Sequence, residues 1–382
     1  MFRFEFPMIS WHQSRLVLSA LHAHALGRAL LRYRNPKRRL AGRHQSAFYE
    51  RIWREAAERL GATLKPIGSG FAEIQRGAIS VKVRENTCPI DDPVPMALAA
   101  DKSLTYKRLE EAGLPTPRHA EFQYSAIDNA LEFLDSTTLP CVVKPTNGTG
   151  GGRGVTTNLR TRGQFILAAA SAAVYGNELM IEEQIQGDNY RLLYLNGECI
   201  DSFQRRPPTV IGDGKSTVSR LIRLANEDRL QSGSEISQVL LDVNLDMKRT
   251  LAGQGLTLNS VPGQGVEVVV KNVVNENRGS DNISANHRLC PSIIEAGARA
   301  ARVVGLRFAG VDIITRDPSV PLWESRGVIL EVNSPPNYYF HYHKRDESFH
   351  VAVHVLRWLL DKSSESIEVH HSTHNGKDVS FS

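Results

Sequence analysis

The sequence predicts a mixed α/β (α+β) fold, with an N-terminal α/β domain followed by two α+β subdomains. Three observations predict it. At 382 residues the chain is longer than a single core requires, so two or three domains are expected. Short apolar runs of strand length alternate with segments of helical apolar spacing. A glycine-rich turn also follows directly on an apolar strand-like run, in VVKPTNGTGGGRGV (Val142 to Val155). Apolar residues make up 41% and charged residues 23%, which is ordinary for a globular protein. The breaks in pattern divide the chain into 1–95, 96–184, 185–361 and a tail, 362–382, too poor in apolar residues to build a core and expected to be flexible.

Taken in order, residues 11–34 carry helical spacing that Asn35-Pro36 is expected to end. This helix could pack on a partner subunit, giving a homodimer, as readily as on its own core. A second helix is predicted from about Ser46 to Leu60, closed by Gly61. Strands near Ala62–Ile67 and Ala78–Val83 complete the first unit. Asp101 is placed as the N-cap of a helix ending near Ala112, because its carboxylate can accept from the first-turn N–H groups. Then come a strand at Cys141–Lys144, the glycine loop, a helix at Thr161–Ala173 and a strand at Glu178–Gln184.

Further strands are predicted at Tyr190–Leu195, Cys199–Arg205, Gly265–Val274, Ala309–Thr315 and Gly327–Val332. Helices are predicted at Thr217–Glu227, Leu230–Met247 and Pro291–Val304, and Leu251–Gly263 reads as a polar surface insertion.

Several function classes are disfavoured. The net charge of +5 is mild, and the basic run RYRNPKRRL (Arg32 to Leu40) lacks the aromatic or glycine pattern of a nucleic-acid module. The four cysteines, Cys88, Cys141, Cys199 and Cys290, are dispersed, which argues against a zinc site or disulfide scaffold. The first residues, MFRFEFPMISWHQ, have no signal-peptide pattern, and no run reaches the ~18 apolar residues of a spanning helix. The expectation is a cytoplasmic protein with small-molecule substrates, no nucleic acid and no membrane.

Standard phosphate-loop patterns fail. GxGxxG puts Arg153 or Val155 where its third glycine belongs, and GxxxxGK[ST] puts Thr209 where the first glycine of TVIGDGKST belongs. The loop Asn147–Gly154 still joins a strand-end lysine to backbone N–H groups that can converge on phosphate oxygens. Downstream, Glu331 and Asn333 stand two apart on one strand and so share a face, and Asp312 on the preceding strand can lie opposite them. Three oxygen-bearing side chains converging between apolar strands suit a hard cation such as Mg²⁺.

VVKP with its glycine loop, IEEQIQG, FAGVDII and VILEVNSPP together resemble the ATP-grasp superfamily of carboxylate–amine ligases. NYRLLYLNGECI, RRPPTVIGDGKSTVSRLI and DDPVPMALAADKSLTYKRLEEAGLPTP are similar to the ATP-grasp modules of cyanophycin synthetases and bifunctional glutathione synthetases, over about residues 85–345. The resemblance implies the ATP-grasp fold, whose two α+β subdomains clasp ATP. It implies that Lys102 and Lys144 hold phosphates beneath a mobile loop of Gly148, Thr149, Gly150, Gly151, Gly152, Arg153 and Gly154. It puts Glu182, Glu183, Gln184 and Ile185 at the adenine and Asn189 at the ribose, where many relatives carry an acid. It makes Asp312, Glu331 and Asn333 ligands of Mg²⁺, with Mn²⁺ as a substitute. Arg191, and Arg205 or Arg206, are similar to arginines that face the transferring phosphate. Lys215 is left between a substrate contact and a turn.

Relatives commonly follow the metal-site asparagine with a small residue, proline and glycine, whereas this chain has Ser334, Pro335 and Pro336; that departure bears on the acceptor pocket. The activity implied is amide-bond formation between amino acids or short peptides through an acyl phosphate. The alternative is a phosphotransferase.

Overall fold

The computed structural model describes residues 18–27, 36–147, 151–231 and 240–374. Helix α1 (18–27) is the described part of the expected helix 11–34. It lies against its own chain: Tyr124 Oη donates to the Leu18 carbonyl at 2.7 Å, and the His22 and Tyr124 rings are 5.6 Å apart. Helix α2 (Pro36–Arg59) begins at the proline expected to stop a helix and runs ten residues ahead of the predicted start. A proline at the first helical position costs nothing there, since its missing N–H would have no intrahelical partner. The buried positions Phe48, Tyr49, Ile52, Trp53, Ala56 and Ala57 fall on one stripe of α2.

That stripe packs with a three-stranded antiparallel meander, β1 (Thr63–Gly68), β2 (Phe71–Arg76) and β3 (Ile79–Arg84). Strand β2 was not anticipated, because only Ala72 and Ile74 of its residues are buried and alternation over two positions is too short a signal. The same apolar cluster takes in Tyr338, Tyr339 and the face of the last helix, α12, introduced below, so the N-terminal unit shares its core with residues from the far end of the chain.

Helices α3 (Pro93–Ala100) and α4 (Lys102–Glu111) follow, and Asp101 caps α4 by accepting from the Leu104 amide at 3.1 Å. The next unit is a sheet of order β4-β7-β5-β6, all antiparallel: β4 (His119–Gln123), β5 (Cys141–Pro145), β6 (Thr156–Leu159) and β7 (Glu178–Glu183). Helices α5 (Asp128–Ser136) and α6 (Arg162–Ala172) cover it, with Thr161 as the α6 N-cap.

Strands β8 (Asp188–Leu195) and β9 (Glu198–Arg205) form a hairpin through Asn196-Gly197, both at positive φ, the pairing a tight two-residue turn requires. They belong to a five-stranded antiparallel sheet of order β12-β9-β8-β13-β14. Between β9 and β12 the chain makes a separate unit with its own apolar cluster. It contains β10 (Thr209–Ile211), helix α7 (Val218–Gln231), helix α8 (Leu245–Gly253) and β11 (Glu267–Val269).

The expected helix Leu230–Met247 is not formed as such. Residues 232–239 lie outside the described residues, 240–244 are non-helical, and α8 starts afresh where Asn244 accepts from the Met247 amide at 3.0 Å. The expected strand Gly265–Val274 shrinks to three residues. The polar "insertion" at Leu251 is anchored, since Leu251 is fully buried beside Val218, Met247 and Val268. Turn chemistry and a small local core override the polar average of that stretch.

The sheet is completed by β12 (Ile283–Ser284), β13 (Phe308–Thr315) and β14 (Val328–Asn333), with α9 (Pro291–Val304) packed on one face. Short helices α10 (Leu322–Ser325) and α11 (Tyr339–Tyr342) precede α12 (Val351–His374). The tail expected to be loose from residue 362 therefore continues a helix to His374; residues 375–382 lie outside the described residues.

Candidate active site

Antiparallel register puts a charged row on one face of the five-stranded sheet. Asn189 pairs with Arg205 and Ile314, Arg191 with Asp312, and Asp312 with Glu331. With a side-chain period of two, partners directly across neighbouring strands share a face, so these groups converge without any loop having to place them. Opposite that face stands the four-stranded sheet. Between them is a cavity of about 380 Å³, lined by Lys102, Lys144, Glu182, Asn189, Arg205, Asp312 and Glu331 among others.

Asp312 is buried and held from two sides. Arg191 donates through Nε to Oδ1 and through Nη2 to Oδ2 at 2.9 Å, and Arg205 Nη1 donates to Oδ2 at 3.0 Å. Burial alone would raise this carboxyl, but the two guanidiniums hold it below the usual carboxylate range. Burial, with Arg191 nearby, pulls Arg205 down to about 10, so it remains cationic at neutral pH. The Arg205 Nε is buried without a hydrogen-bond partner. Arg206, the other arginine expected at the site, is exposed and outside the cavity lining, because β9 ends at Arg205 and the next side chain leaves that face.

Glu331 faces Lys102 Nζ at 3.5 Å, and Asn333 turns its amide nitrogen toward the Gly310 carbonyl at 3.3 Å and Asp312 Oδ2 at 3.4 Å. Among the described residues no three His, Cys, Asp or Glu side chains gather as a metal site, so a candidate cation rests on two carboxylates and an amide. That oxygen set, adjacent and on one face, fits a Mg²⁺ ion that completes its shell with phosphates and water, once Asn333 presents Oδ1.

Lys144 is almost fully buried, paired with Glu182 Oε2 at 2.7 Å and donating to Tyr106 Oη at 3.0 Å. The expected adenine-side residues are therefore committed elsewhere in part. Glu182 grips Lys144. Glu183 turns its carboxylate to Arg118 at 3.0 Å and Thr137 at 2.8 Å, although Glu183 and Gln184 both line the cavity. Gln184 accepts from the Asn158 amide at 2.7 Å. Ile185 lines the cavity. Asn189 also lines it, with a buried Oδ1 that has no hydrogen-bond partner.

In the glycine loop, Gly148, Thr149 and Gly150 lie outside the described residues. Gly151 and Gly152 line the cavity, whereas Arg153 is exposed and Gly154 packs on Pro145 and Tyr175. Gly152 has φ +72°, and a Cβ there would overlap Val273 Cγ1, so both conformation and space demand glycine.

Val273 belongs to a stretch, Asn272 to Asn275, that roofs the cavity from the β10–β11 unit. This roof and Tyr106 were absent from the expected site, since neither a short non-repetitive run nor a single aromatic carries a periodic signal. Asn272 is tied to the four-stranded sheet: its amide donates to Thr157 Oγ1 at 3.0 Å, which donates to Asp246 at 2.7 Å. The GDGKST segment is a turn. Asp213 accepts from the Lys215 and Ser216 amides at 2.9 and 2.6 Å, and Lys215 is exposed.

Residues 99–232 match the family model of the ATP-grasp domain. The chain is 32% identical over 247 residues to cyanophycin synthetase of Trichormus variabilis, covering 64% of this chain and 27% of that protein. It is 28% identical over 254 residues to the glutathione biosynthesis bifunctional protein GshAB of Streptococcus agalactiae, covering 65% and 33%. The chain thus spans about a quarter to a third of the length of these curated relatives. In structure it is similar to a bifunctional glutathione synthetase from Pasteurella multocida, with a TM-score of 0.51 at 23% identity over 79% of this chain and 42% of the other. Among the described residues no helix is long and apolar enough to cross a membrane.

Proposed function

The chain carries an ATP-grasp domain, and from that premise we propose that it is an ATP-dependent carboxylate–amine ligase acting on amino acids or short peptides. The observation that carries this reading is the cavity wall. Lys102, Lys144 and Arg205 bring three cations to that wall, beside the carboxylates of Glu182, Glu183, Asp188, Asp312 and Glu331, and the buried Arg205 Nε and Asn189 Oδ1 lack partners. Converging cations with an unsatisfied donor suit a polyphosphate, carboxylates beside them suit the divalent cation that accompanies it, and an unsatisfied acceptor suits a sugar hydroxyl.

In the reaction a substrate carboxylate oxygen attacks the γ-phosphorus of ATP, releasing ADP and leaving an acyl phosphate. An amine then attacks the acyl carbon, the C–O bond breaks and phosphate departs with one oxygen from the substrate. Lys102 and Lys144 orient the phosphates, while Arg205 and Arg191 offset charge on the transferring phosphoryl group. Mg²⁺ or Mn²⁺ held by Asp312, Glu331 and Asn333 would supply Lewis-acid charge neutralisation at the phosphates. Gly151 and Gly152, with the Asn272–Asn275 roof, keep water from the acyl phosphate.

ADP and phosphate are expected only when an acid and an amine are both supplied, with a product mass equal to their sum less water. Chelation of divalent cations should stop the reaction and Mg²⁺ should restore it. Paired amino acids screened for phosphate release and product mass check this; a stable phosphorylated product without amide would instead establish a phosphotransferase.

A further inference from the structure

We propose that Tyr106 is a positioning residue that fixes the spacing of the two phosphate lysines, an inference that rests on the ATP-binding role assigned to the cavity. Tyr106 is fully buried on α4, one helical turn after Lys102, so the two residues share a face of that helix. Lys102 projects into the cavity toward Glu331 on β14. The Tyr106 hydroxyl accepts from Lys144 Nζ on β5 at 3.0 Å and lies 3.0 Å from both Glu182 Oε2 on β7 and the Leu330 carbonyl on β14.

One oxygen thus joins the four-stranded sheet to the five-stranded sheet, at the residue preceding Glu331. Having a single proton, it can donate to Glu182 or to Leu330 but not to both. The ring adds to the clamp: Lys144 Nζ sits 5.0 Å from its centroid, and its edge packs on His119 at 5.0 Å.

The consequence is geometric. Lys102 is fixed to α4 directly, and Lys144 is fixed to the same helix through Tyr106. Without the hydroxyl, the Lys144 ammonium keeps Glu182 on its own sheet and the ring face at position 106. The start of α4 still meets the end of β5 through the Lys102 amide and the Thr146 carbonyl at 2.9 Å, but no hydrogen bond then holds the ammonium itself to the helix that carries Lys102. A triphosphate bridging both lysines would meet a pair whose ammonium-to-ammonium spacing is less tightly set. Tyr106 is fully buried and not part of the cavity lining, so its effect should pass through the lysine it holds and be confined to nucleotide.

The test is Tyr106→Phe in the full chain, with steady-state kinetics for each substrate and direct binding of ATP and ADP. The expected result is a KM for ATP raised about tenfold, in line with the loss of one hydrogen bond to a charged group. ADP should weaken in parallel, kcat should fall less than about threefold, and the KM values for acid and amine should stay put. A residue that only fills space would lower the active fraction and melting temperature without moving the KM for ATP.

In a cycle with Lys144→Met, adding Tyr106→Phe should weaken ATP no further. An unchanged KM for ATP in Tyr106→Phe, or full additivity in the cycle, overturns the proposal. If the wild-type chain itself binds no ATP, the reading of the cavity fails instead. Should Tyr106→Phe not fold, 3-fluorotyrosine at position 106 keeps ring and hydroxyl but makes the oxygen a poorer acceptor. A smaller rise in the KM for ATP is then expected, and none would overturn the assignment.

Discussion

Glu331→Gln is expected to cut ADP formation by on the order of 10²–10³-fold while the protein stays folded. Glu331 is partly open to the cavity, and its recorded ionic partner is Lys102 at 3.5 Å, an arrangement worth at most about 1 kcal/mol to stability. Glutamine keeps the volume and one carbonyl oxygen but removes the charge that the proposed divalent cation beside β14 would require. Melting temperature should shift by no more than a few degrees, and KM for the acid and amine should change little compared with kcat. Parallel thermal melts and initial rates with Mg²⁺ varied check this; undiminished ligation would remove Glu331 from the metal set.

Asp312→Ala should behave in the opposite way, although the two carboxylates are direct partners across β13 and β14. Asp312 is the shared counter-ion of Arg191 and Arg205, and all three side chains are buried. Removing it leaves two buried guanidiniums side by side with only the charge of Glu331 nearby and no hydrogen-bonded counter-ion, a loss of about 3–5 kcal/mol. That is a large part of the ~5–15 kcal/mol that holds an ordinary domain together. The variant should unfold at markedly lower urea with an unchanged slope, and its ligase activity should vanish even where it remains folded. Equal stability of Asp312→Ala and wild type would mean that the arginines do not depend on Asp312. On the proposed reading, the same face of the sheet carries one carboxylate that mainly serves chemistry and one that serves both chemistry and folding.

What could be read from residues alone follows from this geometry. The charged face was legible because a period of two fixes which side chains share a face, and Asp312, Glu331 and Asn333 sit in strands whose apolar alternation is strong. The Asp101 cap and the strands that carry Lys144 and Glu182 were legible for similar local reasons. The partners of those residues were not. Nothing near Lys144 in sequence announces that Glu182 and Tyr106 bind its ammonium, because the register of β5 with β7 and the packing of α4 decide it.

The choice between Arg205 and Arg206 was open in the sequence and turns on where β9 ends. The region from 206 to 278 was least legible. Its strands are three residues long and its core is small, so the polar average of the chain hid both Leu251 and the roof at Asn272–Asn275. Proline at the start of α2 misled in a different way, since the same residue ends one helix and opens another with equal ease.

The central claim is that the substrate carboxylate is activated by phosphoryl transfer before the amine attacks. It is tested most directly with the acid substrate labelled by ¹⁸O in its carboxylate, followed by mass analysis of the released phosphate. The account predicts that each phosphate formed together with amide carries one ¹⁸O atom, because the oxygen that attacked the γ-phosphorus leaves with it. Amide formed alongside phosphate free of ¹⁸O would contradict it.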